Sequence, residues 1–300
     1  MLAGRVFEAM ESFDARVKEV DAEIRRLAGS VEPESLADAV THISTSGGKR
    51  LRPVLTTLSC EAVTDDTPTE EQHERALRFA VGVEFVHTSA LVADDIIDRS
   101  EVRRGVPTVH RELGHGSAVL TSNILLGKAL ETIDDREAVA VMVDAVKSLG
   151  EGEAMELADS VKTPDDYVEL AYRKTGALFV ASCRVGGIGG DATDAEMEAL
   201  GEYGKHLGVA FQIRDDVLDY TASEDELGKP VGKDAVLERP SLVALHSRAN
   251  ESSLADSVAF ARSEAEEHAE TARDALEPLA STDARREMRE LADFAVERSK

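Results

Sequence analysis

The chain has 300 residues, of which 42% are hydrophobic and 4% aromatic, with no tryptophan. A core must therefore be built mainly from Ala, Leu and Val, which suits close-packed helices. Acidic residues number 59 against 34 Lys and Arg, a formal charge of −25, and such a surface repels nucleic acid and anionic lipid.

Residues 1–20 read as an amphipathic acidic helix without a hydrophobic signal core. Apolar residues recur at helical spacing over 2–28, 34–43, 52–63, 70–98, 116–131, 135–160, 164–184, 194–220, 241–248 and 252–297. Breaks are expected at Gly47-Gly48, Pro68, Gly105 to Pro107, Gly114 to Gly116, Gly186 to Gly190 and Gly228 to Gly232. No stretch of β-branched alternation is long enough to predict a strand, and no linker divides the chain, so one all-helical domain over 1–300 is expected. No apolar run approaches ~18 residues without a charge. Cys60 and Cys183 are too few and too far apart for a disulfide framework, so both are expected as buried thiols in a reducing compartment. A soluble cytoplasmic protein without a transmembrane segment is expected, and the acidity suits a salty cytoplasm that screens self-repulsion.

The stretch from Val81 to Gly105 carries the first chemical signal. An apolar helix runs into Asp94, Asp95 and Asp98, and at ~3.6 residues per turn Asp94 and Asp98 share a face. Carboxylates at the end of a buried helix repel one another unless a cation compensates, and Mg²⁺ favours one or two carboxylates plus phosphate oxygens. Other acidic pairs read as ordinary. Asp65-Asp66 and Asp134-Asp135 follow no apolar run, while Asp165-Asp166 comes after Thr163-Pro164, an N-cap and first helical residue.

Gly47-Gly48-Lys49-Arg50-Leu51-Arg52-Pro53 places three cations behind a diglycine, where Lys49 and Arg52 can chelate an anion. His87 lies two turns before Asp94 on the same face, although a lone histidine there is more often a core residue. Arg103 and Arg104 follow the aspartates closely. A second apolar helix, Phe211-Gln212-Ile213-Arg214-Asp215-Asp216-Val217-Leu218-Asp219, repeats the aspartate spacing. Two such helices facing each other could hold Mg²⁺ ions between them as a receptor for a diphosphate. Lys174-Thr175-Gly176 lies within a predicted helix, and Lys229, Lys233 and Asp234 lie in a predicted loop.

GGKRLRP, DDIID with RRG behind it, KTG, FQIRDDVLD and GKPVGKD stand in the order and approximate spacing of the trans-isoprenyl diphosphate synthases, or polyprenyl synthetases, which this chain resembles from about Gly47 to Asp234. The resemblance implies an all-α isoprenoid synthase-type helical bundle around a central cavity, usually a homodimer, that uses two or three Mg²⁺ ions. By position, Asp94 and Asp98, assisted by Asp95, resemble the first metal ligands, and Asp215 and Asp219 the second. Lys49, Arg52, His87 and Arg104 match positions that hold isopentenyl diphosphate. Arg103, Lys174, Thr175, Gln212 and Lys229 match those that hold an allylic diphosphate. Ala93 and Ser122-Asn123 depart from the common family pattern without removing a ligand position.

The reaction implied is head-to-tail condensation. Metal and lysines neutralise the diphosphate leaving group, the allylic C–O bond ionises, and the double bond of isopentenyl diphosphate attacks the cation. Family members with short products often carry an aromatic residue five positions before the first aspartate. Ser89 stands there, with Ala90 next and Val86 and Val83 further down, which implies a product of C20 or longer. A class I terpene cyclase shares the fold but needs no second diphosphate site, and a silent subunit of a heteromeric synthase is the non-enzyme alternative.

Overall fold

The computed structural model describes residues 2–32, 34–221 and 240–297. Its helices are α1 (Leu2–Ala28), α2 (Glu34–Thr45), α3 (Leu51–Val63), α4 (Glu70–Ile97), α5 (Val109–Leu113), α6 (His115–Thr132), α7 (Arg136–Leu157) and α8 (Pro164–Ala171). A π-helical turn (Tyr172–Gly176) leads into α9 (Ala177–Gly189), followed by α10 (Asp194–Thr221), α11 (Leu242–Asn250), α12 (Leu254–Ala275) and α13 (Asp283–Glu297). The fold is all-α, with one two-stranded hairpin of β1 (Val102–Arg103) and β2 (Val106–Pro107) among the described residues.

Local chemistry explains most boundaries. Thr69 and Gln72 close a capping box at the start of α4, and Thr163 and Asp166 close another around Pro164 at the start of α8. The Asp165-Asp166 pair is thus helix-start chemistry, and backbone N–H groups of Lys162 and Thr163 hold Asp166 below the usual carboxylate range. Asp135 Oδ1 accepts from the N–H groups of Glu137 and Ala138 in the same way.

Besides the short helix α5, which the sequence did not lead one to expect, three features differ from the sequence expectation. The helix expected over 252–297 is two, because Pro278 lacks an N–H and follows the C-cap Leu276 of α12. The glycines of 186–190 do not form a turn between helices. α9 continues through Gly189, and the glycines serve packing: a Cβ on Gly186 would overlap the Thr56 carbonyl, and one on Gly190 would meet Val63 Cγ2 at 2.5 Å. The hairpin is the third difference, because two-residue strands carry no alternation to detect.

The chain forms two compact units, one of the residues up to Val143 with Arg184–Thr193, the other of Asp144–Cys183 with Asp194 onward. In the first, α4 is the central element: Phe79, Val83 and Phe85 are fully buried and Val86 nearly so, with Leu55 and Leu58 of α3 and Leu125 and Ala129 of α6 also in the core. In the second, Val209, Ile213 and Val217 of α10 join Tyr167, Leu242, Ala261 and Ala265 in one cluster. Each large apolar side chain so buried contributes roughly 1.5–3 kcal/mol.

α4 is long and apolar enough to cross a membrane by length and composition, but 67% of its most apolar window is buried inside the fold. Burial of that kind is what a core helix shows.

Candidate active site

In the first unit, the three aspartates occupy the last turn of α4. Asp98 is its C-cap, and a left-handed Arg99 (φ 52°) lets Ser100 N–H bond the Asp95 carbonyl at 3.0 Å and Arg99 N–H bond that of Ile96 at 3.4 Å. This reversal ends the helix and leaves Asp94 half-buried and Asp98 exposed. The C-terminus of a helix is its negative end, where acids are unfavourable and basic residues usual, yet the last turn of α4 contains no basic residue.

Asp95 turns the other way. It is buried, and Arg103 Nε donates to its Oδ1 at 2.7 Å. Burial raises its pKa above the usual carboxylate value against the pull of that guanidinium. Arg103 sits on β1, and the turn that follows uses Arg104 (φ 51°) and Gly105 (φ 82°), the pair of positive φ values that a type I′ hairpin needs. Arg104 donates to the Gly47 carbonyl, and a Cβ on Gly48 would come within 2.7 Å of its Nη1. The diglycine therefore makes room for an arginine from 57 residues away.

The basic motif divides by direction. Lys49 is exposed and Arg52 half-buried at the start of α3, whereas Arg50 is buried. Arg50 donates to Glu84 at 2.5 Å, Asp21 at 2.8 Å and the Ser44 carbonyl at 2.6 Å. Burial raises the pKa of Glu84, and Arg50 opposes it. His87 Nε2 lies 3.4 Å from Arg52 Nη1. Burial, and then the arginines Arg52, Arg104, Arg103 and Arg50, hold this imidazole well below its ordinary pKa. A guanidinium only donates, so in this contact Nε2 is the accepting atom.

In the second unit, Asp215 is half-buried and Asp219 exposed near the end of α10, whose last turn also contains no basic residue. Lys174 and Thr175 lie in the π turn, an irregularity that often marks functional sites. Lys174 Nζ pairs with Glu153 at 2.8 Å and with Glu156. Thr175 Oγ1 donates to Gln212 Oε1 at 2.7 Å. Sequence reasoning missed Asp216, which accepts from Gln212 Nε2 at 2.9 Å and from the buried Tyr167 hydroxyl at 2.5 Å. Burial pushes the Asp216 carboxyl up to about 7 against those two hydrogen bonds.

The structure thus brings Lys49, Arg52, His87, Asp94, Asp95, Asp98, Arg103 and Arg104 into one unit and Lys174, Thr175, Gln212, Asp215 and Asp219 into the other. Lys229 lies outside the described residues, as do Lys233 and Asp234. Among the described residues no three His, Cys, Asp or Glu side chains form a cage that a protein-only metal site would need. Mg²⁺ needs none, since it keeps water and phosphate oxygens and takes one or two carboxylates. Oxygen-only donors at the negative ends of α4 and α10 fit that hard cation.

Comparison with known proteins agrees with this chemistry. A family model described as polyprenyl synthetase matches residues 33–277. A short chain isoprenyl diphosphate synthase of Methanothermobacter thermautotrophicus is 35% identical over 98% of this chain and 99% of that relative. A geranylfarnesyl diphosphate synthase of Natronomonas pharaonis is 33% identical over 89% of this chain and 91% of that relative. The crystal structure of geranylgeranyl pyrophosphate synthetase from Pyrococcus horikoshii superposes with a TM-score of 0.89 at 34% identity, over 98% of this chain and 99% of that one.

Proposed function

The chain belongs to the polyprenyl synthetase family, and from that premise we propose that it joins isopentenyl diphosphate to an allylic diphosphate, head to tail, making an all-trans polyprenyl diphosphate of C20 or longer. It is a trans-prenyltransferase with the isoprenoid synthase fold. The observation that carries the reading is the placing of Asp94 and Asp98, and of Asp215 and Asp219, at the negative ends of two helices without basic residues in their last turns. Carboxylate oxygens in that setting suit a hard cation.

Asp94 and Asp98, and likewise Asp215 and Asp219, would hold Mg²⁺, which supplies charge neutralisation of the departing diphosphate. Lys49, Arg52 and Arg104, with His87, bind the diphosphate of isopentenyl diphosphate. Arg103, Lys174, Thr175, Gln212 and Lys229 bind the allylic substrate, Lys174 exchanging its carboxylate partners for phosphate oxygens. Asp95 keeps Arg103 in place. The chain is read as one all-helical polyprenyl synthetase domain over residues 1–300.

The length of product is supported by Ser89, a small side chain whose hydroxyl lies 2.9 Å from the Ser122 carbonyl and 2.9 Å from the Ser122 hydroxyl, and by relatives named for geranylgeranyl and geranylfarnesyl products. A homodimer is proposed, in which a second copy of the chain covers the exposed Val119, Leu120 and Leu130 of α6. The cytoplasm is the compartment proposed.

Purified protein incubated at high salt with labelled isopentenyl diphosphate, an allylic primer and Mg²⁺ tests the activity. Labelled polyprenyl diphosphate of C20 or more is expected. A cyclised hydrocarbon would support a terpene cyclase instead, and no turnover without a second subunit would support the silent partner.

A further inference from the structure

Arg50 stands between Lys49 and Arg52 in sequence but turns inward. It is the N-cap of α3, with φ 49° and ψ 29°, and its side chain makes no capping bond to the helix. A left-handed conformation costs an L-residue about 1–2 kcal/mol and persists where the surroundings hold it. Gly47 (φ 92°) and Gly48 (φ 133°) lead into it outside any helix, so the hold must come from the Arg50 guanidinium. Its three nitrogens reach three different elements. Nη2 donates to the Ser44 carbonyl of α2 at 2.6 Å, Nη1 to Glu84 of α4 at 2.5 Å, and Nε to Asp21 of α1 at 2.8 Å. Glu84 lies three residues before His87 on α4, and His87 Nε2 is 3.4 Å from Arg52 Nη1. Arg50 therefore ties the start of α3, with Lys49 and Arg52, to the turn of α4 that carries His87.

We propose that Asp21 is a positioning residue for the isopentenyl diphosphate subsite: through Nε it fixes the rotation of the Arg50 guanidinium, and with it the placing of Lys49 and Arg52 against His87. Asp21 precedes residues 33–277, the part of the chain that the family model matches. Its side chain is 25% exposed, against 2% for Arg50 and 4% for Glu84, so it is the member of this network whose removal disturbs the fold least. Arg25, its other cationic neighbour, is 4.0 Å away and 59% exposed, which makes that pair weak. The sign of the effect separates positioning from charge. Removing a carboxylate from beside these arginines makes their surroundings more positive, which by charge alone tightens the binding of any diphosphate. Loss of alignment does the reverse, and only for the substrate that Lys49, Arg52 and His87 hold. The role rests on the prenyltransferase activity proposed above.

Steady-state kinetics of the full-length enzyme, with each substrate varied in turn, test it. Asp21→Ala should raise KM for isopentenyl diphosphate by roughly three- to tenfold, with kcat and the allylic KM changed less than about twofold and Tm lowered by no more than ~4 °C. Asp21→Asn keeps an acceptor oxygen for Nε and should fall between Asp21→Ala and the wild type. Arg50→Lys has no Nε–H, so adding Asp21→Ala to it should raise KM by less than about twofold further. The inference is overturned if Asp21→Ala leaves KM for isopentenyl diphosphate unchanged or lowers it, if the KM values of both substrates rise together, if Tm falls further than stated, or if Asp21→Ala has its full effect in the Arg50→Lys background. A wild-type enzyme that makes no polyprenyl product would instead defeat the proposed activity, which keeps the two failures distinct.

Discussion

The Arg50 guanidinium and the Glu84 carboxylate meet at 2.5 Å with side chains 2% and 4% exposed. They join the start of α3 to the middle of α4, in a basic motif whose neighbouring cations, Lys49 and Arg52, are more accessible. Arg50 is therefore a brace, whereas Lys49 is exposed and Arg52 half-buried.

Removing one member of a buried ion pair strands the other charge, which costs about 3–5 kcal/mol. Glu84→Ala should lower the Tm strongly. Lys49→Ala should leave it unchanged while raising KM for isopentenyl diphosphate. Thermal melts beside steady-state kinetics will separate the two, and equal melting temperatures would remove the structural role of Arg50.

The three aspartates of α4 should not behave alike. Asp94→Asn and Asp98→Asn remove charge that would face the metal and should cut kcat by roughly 10²–10³ without loss of stability. Asp95→Asn weakens the hold on Arg103 at 2.7 Å and should act mainly on allylic-substrate KM. Kinetics of the three variants across a Mg²⁺ titration will show whether the first two shift the metal requirement and the third does not.

Ser89 is 8% exposed and bonded to Ser122 on α6. Ser89→Phe places a ring where the growing chain is expected and should shorten the product, read by chromatography of the dephosphorylated alcohols. An unaltered product distribution would refute the argument from side-chain bulk.

Stability at acid pH should depend on a histidine pair. His206 and His268 meet Nδ1 to Nδ1 at 2.8 Å between α10 and α12, with Glu202 3.6 Å from His206 and Lys205 also nearby. Burial, then His206 and Lys205, depress His268 from 6.5 to about 4. Between those values the unfolded chain binds a proton that the native chain refuses, so stability is full above pH 6.5 and falls as pH drops towards 4. After allowance for partial exposure the loss is roughly 1–2 kcal/mol. Denaturant melts should show the wild type losing more stability between pH 7 and pH 4 than His268→Gln, and equal losses would remove His268 as the cause.

Much of this protein is determined within short windows of sequence. Helical periodicity, the Thr163-Pro164 start of α8 and the shared face of Asp94 and Asp98 depend only on neighbours a turn or two apart, and local rules read them. The ordered motifs likewise carry the family. Tertiary structure alone decided which member of a charged cluster turns inward. Nothing adjacent to Arg50 indicates that Glu84, 34 residues on, takes its charge, or that Asp95 rather than Asp94 holds Arg103. The same holds for Asp216, whose partner Tyr167 is 49 residues distant, and for Gly186, which stays helical because α3 lies against it. The physical reason is common to all of them: a side chain's local conformation is set by its own backbone, whereas its charge and hydrogen bonds are satisfied by whatever group the packed helices bring within about 3 Å.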